Sequence, residues 1–119
     1  MKKNLLVSAC LVGINCRFDG ENQENLNVMQ LAKYYNLIPV CPEQLGGLST
    51  PRPASWFIKG NGVDTNKGLN NMQNEDGKDV SQNFRNGAKE ALKICKLLNI
   101  KNAVLKEDSP SSGVKKIYL

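Results

Sequence analysis

Three short apolar runs set the frame of this chain: Leu5-Leu6-Val7-Ser8-Ala9, Leu37-Ile38-Pro39-Val40 and Ala103-Val104-Leu105. None alternates strictly between apolar and polar residues, which marks strands buried on both faces, as in a parallel sheet. Helical patterns lie between them. From Glu24 to Tyr35, Leu26, Met29 and Ala32 fall on successive turns, with Leu31 and Tyr34 beside them and Asn36 as a stop. From Asp79 to Leu98, a stripe of Phe84, Ala88, Ala91, Cys95 and Leu98 predicts a longer helix. Asp79 or Ser81 can cap it, Lys89, Lys93 and Lys96 sit off the stripe, and Asn99 ends it. Strand, helix, strand, helix, strand is a βαβαβ unit. The expected fold is therefore α/β: a Rossmann-like three-layer arrangement around a small parallel sheet.

A length of 119 residues suits a single domain, residues 1–119, with one core. Pro39 argues against a fully paired central position for the second strand, or for a bulge there. Residues 44–78, rich in glycine and asparagine, read as an irregular flap in which Trp56-Phe57-Ile58 either forms a strand or anchors the flap to the core. Ile117-Tyr118-Leu119 looks like the start of a fourth strand. A sheet that stops in mid-pattern reads as C-terminally incomplete, and its open edge could pair with a second copy.

The chain contains no histidine. That excludes Ser-His-Asp triads, Cys-His dyads and His-based zinc sites. The net charge of +5 is spread along the sequence, with no basic run interleaved with aromatics. Nucleic acid is therefore not expected as a partner. Met1-Lys2-Lys3 ahead of an apolar stretch ending at Cys10 has the outline of a lipoprotein signal, but the stretch is too short for one. No run approaches membrane-spanning length. A cytoplasmic location is expected, where cysteines more often bind metal or react than form disulfides.

The four cysteines differ in context. Cys95 lies on the apolar stripe of the long helix and reads as a small buried hydrophobe. Cys10 and Cys41 each stand where a strand gives way to a loop, at the carboxyl ends of the strands, where open α/β sheets bind ligands. They read either as buried core thiols or as thiolate ligands of one metal centre. Cys16 follows Cys10 in the same glycine-containing loop and is within reach of the same place. Zinc and an iron–sulfur centre are both open to such thiolates. Glu43, two residues after Cys41, is either a solvated loop residue or a general acid or base at the cleft. Ser109-Pro110-Ser111-Ser112-Gly113 follows the third strand and reads either as a plain turn or as a backbone nest for an anion.

Taken together, these stretches resemble the TudS-type thiouracil desulfidase family. The matching text is Val7-Ser8-Ala9-Cys10-Leu11-Val12-Gly13-Ile14-Asn15-Cys16-Arg17-Phe18-Asp19-Gly20, then Pro39-Val40-Cys41-Pro42-Glu43-Gln44-Leu45-Gly46-Gly47-Leu48-Ser49-Thr50-Pro51-Arg52. It continues through Asp79-Val80-Ser81, Phe84 and Gly87-Ala88 to Leu105-Lys106-Glu107-Asp108-Ser109-Pro110-Ser111-Ser112-Gly113. The resemblance implies a [4Fe-4S] cluster held by three cysteines with one iron open. It also implies non-redox removal of sulfur from a thiolated pyrimidine such as 2-thiouracil. Carried over by position, Cys10 and Cys41 would be cluster ligands, Glu43 the acid/base and Ser109 a second polar catalytic residue. Ser112 occupies the position where the family pattern has its third cysteine, and a hydroxyl is a poor iron ligand beside thiolates, so the third ligand is missing, mutated away or supplied by Cys16. Ala54-Ser55-Trp56-Phe57 and the end of the chain also depart from the pattern. A degenerate module that binds a small ligand or another metal without turnover is the competing expectation.

Overall fold

The computed structural model describes residues 1–106 and the strand Lys116–Tyr118. Strand β1 (Lys3–Ser8) pairs in parallel with β2 (Tyr35–Val40), in a register that sets Ser8 against Val40. On its other side β1 pairs in parallel with β5 (Asn102–Val104), Val7 lying against Val104. Strand β6 (Lys116–Tyr118) adds to β5 in the antiparallel sense, so the sheet order is β2-β1-β5-β6. The three strands expected from their apolar runs thus form a parallel sheet, and the fourth reverses direction. β2 is an edge strand, which is how Pro39 is tolerated with no N–H to give a second neighbour.

Alternation along β1 divides the core in two. Leu5 and Val7 point to one face, where they pack with Cys10, Leu11, Cys16 and Val28. Leu6 points to the other, with Val40, Cys95, Ile100 and Ala103. The second face is covered by α4 (Ser81–Leu97), so the sheet lies between two layers. Cys95 is buried there, as its place on the apolar stripe predicts. Asp79 Oδ1 accepts from the Ser81 N–H at 2.8 Å, one residue ahead of Val80 at the N-cap, while Asn99 adopts a left-handed φ of 52° just past the helix end.

The first helical pattern is shorter than expected. α1 covers only Leu26–Met29, followed by a 3-10 turn at Gln30–Lys33. Asn25 caps α1 through its side chain, accepting from the N–H groups of Asn27 and Val28. Asn36 does not stop a helix. It belongs to β2, opposite Asn4, whose Oδ1 accepts from Asn36 Nδ2 at 3.2 Å. Residues 26–33 keep a helical course, α then 3-10, and the chain enters β2 at Tyr35, two residues after that turn ends.

Residues 44–78, expected to be irregular, contain short ordered elements. β3 (Ser55–Phe57) and β4 (Met72–Asn74) form an antiparallel pair. α3 (Gly62–Asn66) begins at a capping box made by Asn61 and Asp64. The fully buried Asn71 donates to the carbonyls of Lys59 and Asn61 and accepts from Thr65. Met72, Val80 and Phe84 form a third core cluster that docks this unit on α4, with Leu48 and Phe57 against it.

Candidate thiol-rich site

The parallel register brings the carboxyl ends of β1, β2 and β5 to one edge of the sheet. Ser8 Oγ accepts from the Lys106 N–H at 2.9 Å, tying the exit of β5 to that of β1. Directly after β1, Ala9–Val12 make a 3-10 turn that closes at Gly13, whose φ of 90° suits a residue without a Cβ. The loop then folds back on itself. The Cys10 carbonyl accepts from Gln23 N–H at 2.9 Å, and the Leu11 carbonyl from Asn25 N–H at 2.9 Å. These bonds hold Cys10 and Cys16 on the same face of the sheet.

Cys10 and Cys16 are buried there, and the half-buried Cys41 packs against the same cluster. The Cys41 thiol donates to the Cys16 carbonyl at 3.6 Å. Burial pushes the Cys10 thiol up, the nearby charge of Cys41 adds to this, and Lys106 and Arg17 oppose it. Cys16 is pushed up to about 12, first by burial, then by the charge of Cys41, a hydrogen bond to its thiol and the charge of Cys10, with Arg52 opposing. The three sulfurs are thus close enough to feel one another, and three cations face them. Cys95 stands apart on the opposite face, raised by burial alone.

Cys41 precedes a short helix, α2 (Pro42–Leu45), with Pro42 in its first turn and Glu43 beside it. The placement of α2 depends on two glycines. A Cβ on Gly46 would overlap the Asn83 carbonyl of α4, and one on Gly87 would overlap the Pro42 carbonyl. Asn83 Nδ2 also donates to the Gly46 carbonyl at 2.9 Å. α2 therefore lies with its backbone against α4, and this contact sets where the Glu43 carboxylate begins.

Arg52 completes the site. It is 8 % exposed and uses its whole guanidinium. Nε meets Glu43 Oε1 at 3.2 Å, Nη1 donates to the Ser49 carbonyl and Thr50 Oγ1, and Nη2 donates to the Cys16 carbonyl at 2.9 Å. Its own N–H donates to the Phe18 carbonyl at 2.8 Å. One side chain thus joins the Cys16 loop, the Glu43 helix and the turn before it. Sequence reasoning did not single out Arg52, because Pro51-Arg52-Pro53 reads as turn punctuation and burial leaves no mark on a lone arginine.

Of the sequence-derived residues, Cys10, Cys16 and Cys41 pack in one cluster, and Glu43 is tied to it through Arg52, which also holds the Cys16 carbonyl. Ser109 and Ser112 lie outside the described residues. Among the described residues, no group of three or more Cys, Asp or Glu side chains is arranged to hold a single metal ion, so the zinc expectation finds no support. Nor is any helix among them long and apolar enough to cross a membrane.

A family model described as 2-thiouracil desulfurase matches residues 5–119. The chain belongs to this family. A solved structure of a [4Fe-4S]-dependent thiouracil desulfidase, TudS, superposes with a TM-score of 0.76 at 35% identity, covering 95% of this chain and 70% of that one. The uncharacterized protein YbbK of Bacillus subtilis (strain 168) is 38% identical over 114 residues, covering 96% of this chain and 76% of the relative. Family membership and the shared fold agree with the layered α/β reading.

Proposed function

We propose that this protein is a [4Fe-4S]-dependent desulfidase that converts a thiolated pyrimidine of the 2-thiouracil kind to its oxo form. The observation that carries the reading is the packing of Cys10 and Cys41 in one cluster with Cys16, whose carbonyl shares the buried Arg52 guanidinium with the Glu43 carboxylate. The donor set fits the group. Clustered thiols with no imidazole are soft ligands suited to iron–sulfur centres. The cations Arg17, Arg52 and Lys106 offset the negative charge that thiolates bring into a buried place.

In this reading Cys10 and Cys41 hold the cluster. When bound, a cluster with one iron not ligated by protein supplies a Lewis-acid position for the substrate sulfur. The protein's task is proton management. The C=S carbon is attacked by water, a C–O bond forms, the C–S bond breaks, and thiouracil plus water gives uracil plus hydrogen sulfide with no net redox change. Glu43 takes the proton from water and returns one to the departing sulfur. Arg52 is a positioning residue, fixing the Glu43 carboxylate relative to the Cys16 and Cys41 loops. Ser109 takes the second polar role that the resemblance gives it.

The test is anaerobic reconstitution with iron and sulfide, followed by incubation with 2-thiouracil. Uracil and sulfide are expected in equal amounts. Protein that carries a full cluster but forms no uracil from any thiolated pyrimidine would favour the non-catalytic binding module instead.

A further inference from the structure

Position 112 is serine, so a cluster held by three thiolates needs a third sulfur from elsewhere in this chain. We propose that Cys16 supplies it, an assignment that rests on the cluster reading above. The residue is placed for this role by three separate features. Its thiol is buried on the same face of the sheet as Cys10 and Cys41. Its backbone is fixed from both sides, the carbonyl accepting from Arg52 Nη2 at 2.9 Å and from the Cys41 thiol at 3.6 Å. Its N–H donates to the Ile14 carbonyl at 2.9 Å, which closes the turn that aims it inward.

A core thiol that merely fills space has apolar neighbours, as Cys95 does with Leu6, Val40, Ile100 and Ala103. Cys16 also has apolar neighbours, Leu5, Val7 and Leu11, but it shares that cluster with two other thiols, Cys10 and Cys41, and its carbonyl meets the Arg52 guanidinium.

The experiment compares anaerobically reconstituted wild type, Cys16→Ala, Ser112→Cys and the Cys16→Ala/Ser112→Cys double variant. The readouts are iron and sulfide content, Mössbauer spectra and far-UV circular dichroism. Wild type is expected to bind about four irons per chain. Cys16→Ala should lose at least roughly tenfold of that with its secondary structure intact. The double variant should regain it, which also shows that the Cys16→Ala background folds. Cys16→Ala with the iron content of wild type overturns the proposal. So does a folded double variant that stays iron-free. If wild type takes up no iron and Ser112→Cys does, the third-ligand assignment falls while the cluster reading stands. If neither takes it up, both fall.

Discussion

Arg52 Nε lies 3.2 Å from Glu43 Oε1, and the guanidinium side chain that makes this contact is only 4% exposed. The same group also serves three acceptors on the Cys16 and Ser49–Thr50 segments. Breaking a buried pair by deleting one partner costs more than the pair contributes, because the other charge stays buried alone. Arg52→Met is expected to lower the unfolding free energy by about 3–5 kcal/mol, measured by urea denaturation. Arg52→Lys keeps the charge but loses the fork, so its loss should be smaller. An Arg52→Met loss below about 1 kcal/mol, the level of an exposed pair, would show that the contact is idle.

Glu43→Gln keeps the shape of the side chain and an oxygen that Arg52 can donate to, but removes the basic site. Desulfuration of 2-thiouracil is expected to fall by about 100-fold or more while iron content stays at the wild-type level. Retained turnover would remove Glu43 from proton transfer.

Gly87 sits within α4, where helix propensity alone makes Gly→Ala favourable by about 1 kcal/mol. The Pro42 carbonyl fills the space that a Cβ would need. Gly87→Ala is therefore expected to destabilise by about 1–3 kcal/mol, the usual cost of overpacking. Thermal denaturation decides it, since a stabilised variant would mean that α2 does not press on α4.

Asp79 lies just ahead of α4, and its hydrogen bonds with Ser81 hold its carboxyl below the ordinary 3.8. A carboxyl with a lowered folded value adds stability above its unfolded value and loses it as pH falls through the folded one. Asp79→Ala should cost about 1 kcal/mol at neutral pH. The gap between wild type and variant should narrow as pH drops below 3.8. A gap that persists unchanged in acid would argue against this contact.

Cys41 is the least buried of the four thiols. In metal-free, reduced protein at pH 8, a maleimide should label Cys41 first. Cys10, Cys16 and Cys95 should follow only on unfolding, because burial both shields these thiols and keeps them protonated. Peptide mapping by mass spectrometry reads the order. Early labelling of Cys16 would contradict its packing in the core. Because Cys16 is raised from 9.0 to about 12, its contribution to stability is full below pH 9 and declines as pH rises toward 12.

Local pattern was enough to place β1, β2 and β5, the long helix with its start near Asp79 and its Asn99 stop, and Cys95 in the core. Each follows from neighbours within a few residues, through apolar runs, helical periodicity or capping chemistry. The same reasoning expected Cys10 and Cys41 at one edge, since parallel strands deliver their carboxyl ends there, and the two pack in one cluster. Tertiary structure alone decided the rest. Asn36, expected as a helix stop, became part of β2 because its partner Asn4 lies thirty-two positions away. Asn71 became the buried anchor of the β3–β4 unit because three distant groups met its amide. Arg52 became the hub of the site, and Gly46 and Gly87 became necessary, only because separate loops and helices closed on them. Burial and close approach belong to pairs of segments, and no single stretch of residues carries them.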